Sequence, residues 1–237
     1  MVLLGSIVNG ICIVVGTIIG RFFRNIPEKT KQTVMFAIGL SVVLIGLQMG
    51  FQSEQILIVI LSLVIGAVLG EWMRIDDRLN TLGLWLEKKF NFGKGNYIAQ
   101  GFVTGTLIFV VGAMAILGAL DSGIRGDHSI LYTKSLMDGF TSIILASTLG
   151  LGVIFSAIPV VLYQGVIALF ATQIDKFVPT ELLNFFITEM TAVGGLMIVA
   201  IGLNIMDLTK IRVANLLPAI IIVGVFVSIF YYGNIQL

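Results

Sequence analysis

Apolar positions run in long blocks along this chain, not in the alternating or one-faced patterns of soluble strands and helices. About 20 apolar residues cross a bilayer as a helix. Blocks of that kind occupy 2–20, 33–51, 55–73, 97–120, 185–206 and 213–232. The longest, 131–174, contains one lysine and one aspartate as its only charges. It predicts two spans joined by a tight turn near Ser156 to Pro159, which makes eight spans in all. The first block lacks a basic n-region and an A-x-A-like exit, so it reads as a retained helix.

Between these blocks lies one substantial polar segment, 74–96. Leu79, Leu82, Trp85, Leu86 and Phe90 recur at helical spacing, with Asp77, Arg78, Asn80, Glu87 and Lys88 mostly on the other side. That pattern predicts an amphipathic helix lying in the membrane interface.

Composition agrees with the pattern. Hydrophobic residues make up 57% and charged residues 11%, with a mean hydropathy of +1.06; soluble domains carry about 25% charged residues. The expected fold class is all-α, a polytopic membrane protein in a single transmembrane domain over 1–237. Net charge is +1, but the distribution says more. With the N-terminus outside and eight crossings, eleven of the fourteen Lys and Arg fall in inside loops and three outside. This bias is the one short loops show, and it places both termini outside. No basic patch with interleaved aromatics supports nucleic-acid binding. The single Cys12 cannot form an intrachain disulfide, and the single His128 excludes a histidine cluster of zinc type. No nucleophile elbow, phosphate loop or zinc motif is present, so neither an enzyme nor a cofactor is expected.

The two ends of the chain resemble each other. An offset of 155 pairs Asn9 with Gln164, Gly10 with Gly165, Thr17 with Thr172 and Arg21 with Lys176. An offset of 156 pairs Gly39 with Gly195, Gly46 with Gly202 and Gln48 with Asn204. Residues 2–73, spans one to three, thus form a first repeat. Residues 157–237, spans six to eight, form a second, with the polar segment 74–96 and central spans 97–156 between them. Five crossings separate the two starts, so the copies are inverted, an architecture recurrent in secondary transporters. Gly16/Gly20, Gly46/Gly50 and Gly66/Gly70 each fit G-x-x-x-G, which permits close helix approach, either within the chain or in a homo-oligomer.

The run VGAMAILGALDSGIRGDHSILYTKSLMDGFTSIILASTLGLGVIFSAIPVVLYQG, residues 111–165, resembles the signature region of a bacterial integral membrane family. That family is catalogued as a domain of unknown function and loosely labelled a transport protein. The resemblance extends over nearly the whole chain. It implies a bacterial inner-membrane location and brings no substrate and no site residues.

Candidate chemistry must therefore come from the residues themselves. Ser135, Asp138, Thr141, Ser142 and Thr148 recur at helical spacing on one face. An aspartate turned to lipid is costly, so this face should look inward. A carboxylate with hydroxyl and carbonyl oxygens suits a hard cation such as sodium, or a proton relay. Alternatively, Asp138 pairs with Lys134 at spacing i, i+4, with Lys134 marking the outer interface about 6 Å away along the helix. Glu189, near Thr188 and Thr191, and Asp121 also fall toward the outer side, where they either line a vestibule with Asp138 or are ordinary interfacial acids. Asn9, Gln164, Gln48 and Asn204 are either hydrogen-bonding glue between helices or, being related by the repeat, parts of a symmetric site. The loop DSGIRGDHS lacks the EF-hand register. The expected function is a small secondary transporter of a small solute or ion, cation- or proton-coupled. A channel and a non-transporting scaffold are the alternatives.

Overall fold

The computed structural model describes residues 1–22, 28–90 and 98–233, except for the side chains of 28–31, 34, 82–84 and 86–90. Among the described residues every regular element is helical and there is no strand. The helices are α1 (Leu4–Phe22), α2 (Glu28–Gly50), α3 (Ile56–Met73), α4 (Ile75–Phe90), α5 (Ile98–Val110), α6 (Ala113–Ile124), α7 (Ser129–Leu149), α8 (Ala157–Leu169), α9 (Ala171–Phe177), α10 (Thr180–Ile205) and α11 (Pro218–Tyr232). Two 3₁₀ segments, Gly150–Ser156 and Val213–Leu216, precede α8 and α11. Helices dominate for a solvation reason. Hydrocarbon offers no hydrogen bonds, so each backbone N–H and C=O must find its partner within the segment.

Five segments are long and apolar enough to cross a membrane: Leu4–Phe22, Ile56–Met73, Ser129–Leu169, Thr180–Ile205 and Val213–Tyr232. A sixth arises if the bent pair α5 and α6 is one span, and Met35–Gly50 is a shorter apolar helix. Large apolar side chains stand exposed along these helices, among them Leu40, Leu44, Val68, Leu162 and Ile221. A surface of that kind is suited to lipid and not to water.

The chain divides into two compact units. Unit 1 comprises Met1–Val34, Leu79–Val110 and Met114–Ile174. In it Gly5 faces Leu131, Gly16 faces Gly139 and Ser142, and Gly20 faces Ile143 and Ala146, so α1 and α7 run parallel. Leu3 packs on Gly165 and Gly10 on Val161, so α8 runs antiparallel to α1. The chain therefore reverses between α7 and α8. The reversal falls over the 3₁₀ segment Gly150–Ser156, opened by Gly150, whose φ of 77° suits glycine; the segment ends at Ser156, where the expected turn near Ser156 to Pro159 begins. Ile13, Phe109, Leu145, Leu149, Val153, Ala157 and Val160 close the apolar core of this unit.

Span four is also not the single straight helix the hydropathy suggests. It breaks between α5 and α6 with a bend of 62°, at Gly112, whose φ is 134°. The polar segment 74–96 does contain a helix, α4, and Trp85 on it is exposed. Residues 91–96 and the side chains of Leu82, Leu86, Glu87, Lys88 and Phe90 lie outside the described residues, so the expected two-sidedness is not described there.

Unit 2 comprises Met35–Arg78, Val111–Ala113 and Asp175–Leu237. Its most internal helix is α10, buried along most of its length, whereas α3 is mostly exposed. Gly39 meets Gly202 and Gly46 meets Gly195, so α2 and α10 run antiparallel. Gly66 meets Ala219 and Gly70 meets Asn215, so α3 and α11 do the same. The G-x-x-x-G faces are thus occupied by helices of the same chain.

Candidate functional site: a buried polar cluster in unit 1

On α1, Gly5, Ser6, Asn9, Gly10, Ile13, Gly16, Thr17 and Gly20 are buried. This is a helical face of small and polar residues, which lets α7 and α8 come close. On α7 the buried face carries Lys134, Ser135, Asp138 and Ser142. Where the two faces meet α8, four side chains connect. Lys134 Nζ donates to Asp138 Oδ2 at 2.6 Å. Asn9 Nδ2 donates to the same oxygen at 2.9 Å and to Gln164 Oε1 at 3.3 Å. All four residues are buried.

α7 begins at Ser129, and Lys134 is itself buried against neighbouring helices of the chain. Nine residues separate Ser129 from Asp138, about 14 Å at 1.5 Å per residue. Asp138 therefore lies well along its helix. Its pairing with Lys134, one of the two expectations for it, is present, and the pair is internal. A buried ion pair loses the hydration of both charges and regains it only through close contact and further hydrogen bonds. Here Asn9 supplies one such bond.

The hydroxyls of the same face are spent differently. Ser135 donates to Leu131 O at 2.6 Å, Ser142 to Asp138 O at 2.7 Å and Thr148 to Leu145 O at 2.9 Å. Each returns its hydrogen to its own helix, the pattern hydroxyls adopt in apolar surroundings. Thr141 is half-buried.

The orientation of the amides follows from the charge. An amide beside a carboxylate turns its NH2 toward it, so Asn9 presents Nδ2 to Asp138 and Gln164 then presents its oxygen to Asn9. Three buried side-chain atoms on α1 and α8 have no protein partner: Asn9 Oδ1, Gln164 Nε2 and Ser6 Oγ. Ser6 was not singled out in the sequence. Its spacing of three from Asn9, on one helical face, is the signal that could have found it.

The other candidates lie elsewhere. Asp121, also in unit 1, pairs with Arg125 at 3.5 Å. Glu189, in unit 2, is fully buried on α10 and caps α3. Its carboxylate accepts from Ser53 Oγ at 2.6 Å, Glu54 N at 2.9 Å and Gln55 N at 3.0 Å. A carboxylate at a helix N-terminus satisfies free N–H groups and meets the positive end of the helix dipole. Gln48 is exposed on α2. Asn204 closes a turn, accepting from Thr209 Oγ1 at 2.7 Å and Ile211 N at 2.9 Å and donating to Ile211 O at 2.7 Å. Of the two amide pairs aligned at offsets of 155 and 156, Asn9 and Gln164 meet, while Gln48 is exposed and Asn204 bonds within its own turn.

A second polar group in unit 2 went unseen in the sequence. Glu71 accepts from Arg212 Nη1 at 2.6 Å and from Asn215 Nδ2. Asn215 Oδ1 in turn accepts from Asp76 N at 2.8 Å. Burial pushes the Asp76 carboxyl above its ordinary range, with Arg212 acting in the opposite direction. Among the described residues no group of three or more His, Cys, Asp or Glu is arranged to hold a metal ion.

Comparison with known proteins supports the membrane assignment. The chain is 35% identical over 232 residues to the uncharacterized membrane protein YdfK of Bacillus subtilis (strain 168), covering 96% of each chain. It is 27% identical over 224 residues to the uncharacterized protein YqgA of Escherichia coli (strain K12), covering 92% of this chain and 94% of that one. No solved structure matches. The family described as "Protein of unknown function (DUF554)" matches residues 4–228, and this membrane protein belongs to it.

Proposed function

We propose that the protein is a small secondary transporter with eight crossings, two inverted three-helix repeats and both termini outside a bacterial inner membrane. The observation that carries this reading is the hydrogen bond between Asn9 and Gln164, residues equivalent in the repeat. Two-fold related copies of a residue can touch only where the axis passes between them. The contact sits against the buried Lys134–Asp138 pair. Charged groups within spans mark substrate and ion pathways.

The helix directions support the repeat and the count. Each helix of the first copy that has a repeat partner packs antiparallel to it: α1 with α8, α2 with α10 and α3 with α11. In unit 2 the glycine contacts are crossed, Gly39 with Gly202 and Gly46 with Gly195. Since Gly39 is equivalent to Gly195 and Gly46 to Gly202, crossing is what a two-fold relation requires. Counting Ser129–Leu169 as two crossings, α5 with α6 as one, and adding α2, the apolar segments number eight. The parallel course of α1 and α7, spans one and five, fits alternate crossings.

Transport of labelled solutes and ions into proteoliposomes, across a panel, tests the proposal. A transporter yields saturable flux that Asp138→Asn reduces. A channel yields flux that does not saturate. A scaffold yields no flux and co-purifies with a partner.

A further inference from the structure

Near the end of α6, Ser122 is fully buried. Its Oγ donates to the Val2 carbonyl oxygen at 2.9 Å and lies 2.6 Å from His128 Nδ1. A hydroxyl has one hydrogen to give. When that hydrogen goes to Val2, the contact with His128 is a hydrogen bond only if Nδ1 carries a proton and donates to Oγ. The imidazolium always carries it. A neutral ring with its proton on Nε2 presents a bare Nδ1, which takes the Ser122 hydrogen and deprives the Val2 carbonyl of it. The two bonds coexist in one protonation state of His128 and compete in the other.

Val2 stands two residues before α1. Leu4 N bonds to Met1 O, and Gly5 packs on Leu131, which also lies over Gly118 of α6. The start of α1 is thus held beside α6 by an apolar contact and by the Ser122 bond. His128 is half-buried, and histidine is the side chain that ordinarily titrates between pH 5 and 8. From α6 come Asp121 and Arg125, paired with each other. Asp127 adjoins the ring in sequence, is bonded to Ser129 and is held low in part by the His128 charge. From α7 comes Tyr132, its ring centroid 5.8 Å away, and the N-terminal stretch brings the Met1 amine. Helix α9, which meets α6 where Ala171 faces Gly123, carries Asp175 and Lys176, both exposed.

We infer that Ser122 and His128 form a proton-operated clamp on the N-terminal end of α1. With His128 protonated, Ser122 holds Val2; with His128 neutral, the Ser122 hydrogen turns to the ring and Val2 is released. Acid tightens the clamp and alkali loosens it. The inference goes beyond the transporter reading and does not depend on it. With the topology proposed above, the clamp responds to pH on the outer side.

Amide exchange at residues 4–8 of the full chain in detergent, followed from pH 8 to pH 5, tests the inference. Protection, with the intrinsic pH dependence of exchange divided out, should rise about three- to tenfold as pH falls, the effect of one neutral hydrogen bond. Ser122→Ala should abolish the rise although His128 still titrates. His128→Asn, whose amide keeps an N–H at every pH, should abolish it as well. Nitrogen-15 shifts of the ring should show the neutral form with its proton on Nε2. A flat profile in the parent chain overturns the inference; a neutral ring already protonated at Nδ1 would give that result, and the ring shifts would display it. A rise that survives Ser122→Ala also overturns it, because the responsible proton would then belong to another group, such as Asp121 or the Met1 amine.

Discussion

A Cβ placed on Gly46 would lie 2.6 Å from the carbonyl oxygen of Gly195, and a Cβ on Gly195 would lie 2.6 Å from that of Gly46. The contact is backbone against backbone in both directions, so no side chain can swing aside to relieve it. Gly46→Ala must push α2 and α10 apart. Overpacking of this kind costs about 1–3 kcal/mol, read as a lower melting temperature in detergent. Gly46→Ala with Gly195→Ala should cost less than the sum of the two, because the first methyl already separates the helices.

The Lys134–Asp138 pair calls for a different series. Removing one partner of a buried pair strands the other charge and costs about 3–5 kcal/mol. Lys134→Met and Asp138→Leu should each fall in that range by chemical denaturation. Together they should recover most of the loss, since the double variant buries no charge. A double variant no more stable than either single would mean that the pair is hydrated in the membrane.

Glu189 is expected to act on α3 rather than on its own helix. Glu189→Ala leaves Ser53 Oγ and the amides of Glu54 and Gln55 without their acceptor. Hydrogen bonds to a charged group are worth about 1.5–3 kcal/mol. Amide exchange should rise sharply at 54–58 and hardly at all within α10. Glu189→Gln, which keeps one acceptor oxygen, should lie between the two.

Asp127 precedes α7 and accepts from Ser129 Oγ and Ser129 N at 2.6 and 2.9 Å. Those bonds hold its carboxyl below the ordinary value of 3.8. A lowered folded-state pKa contributes stability that is present above the unfolded value and lost as pH falls through the folded one. Protection factors at the first amides of α7, exchange rates divided out by their intrinsic pH dependence, should thus be flat from neutral pH to about 4 and fall below it. Asp127→Asn should remove the acid step.

Topology can be read with impermeant thiol reagents in a Cys12→Ala background, since Cys12 is the one cysteine in the chain. Asp127→Cys should react from outside, and Lys210→Cys only after the membrane is opened. Reaction of Lys210→Cys from outside would remove the eight-crossing count and the inversion with it.

What the sequence determined by itself was what depends on one segment at a time. Lipid admits helices because they satisfy their own backbone, so long apolar blocks translate directly into α1, α3, α10 and α11. The glycines at 16, 20, 46, 66 and 70 signalled close approach for the same local reason, that a missing side chain is visible in the sequence. Tertiary structure decided which helices approach. The break at Gly112 falls inside an apolar block where hydropathy is uniform, so no change of composition marks it. The inward burial of Lys134, the hydrogen bond of Asn9 to Gln164 across 155 residues and the capping of α3 by Glu189 from α10 each require a partner from a distant span. A polar residue within an apolar block announces that it needs a partner; only the packing of the helices supplies one.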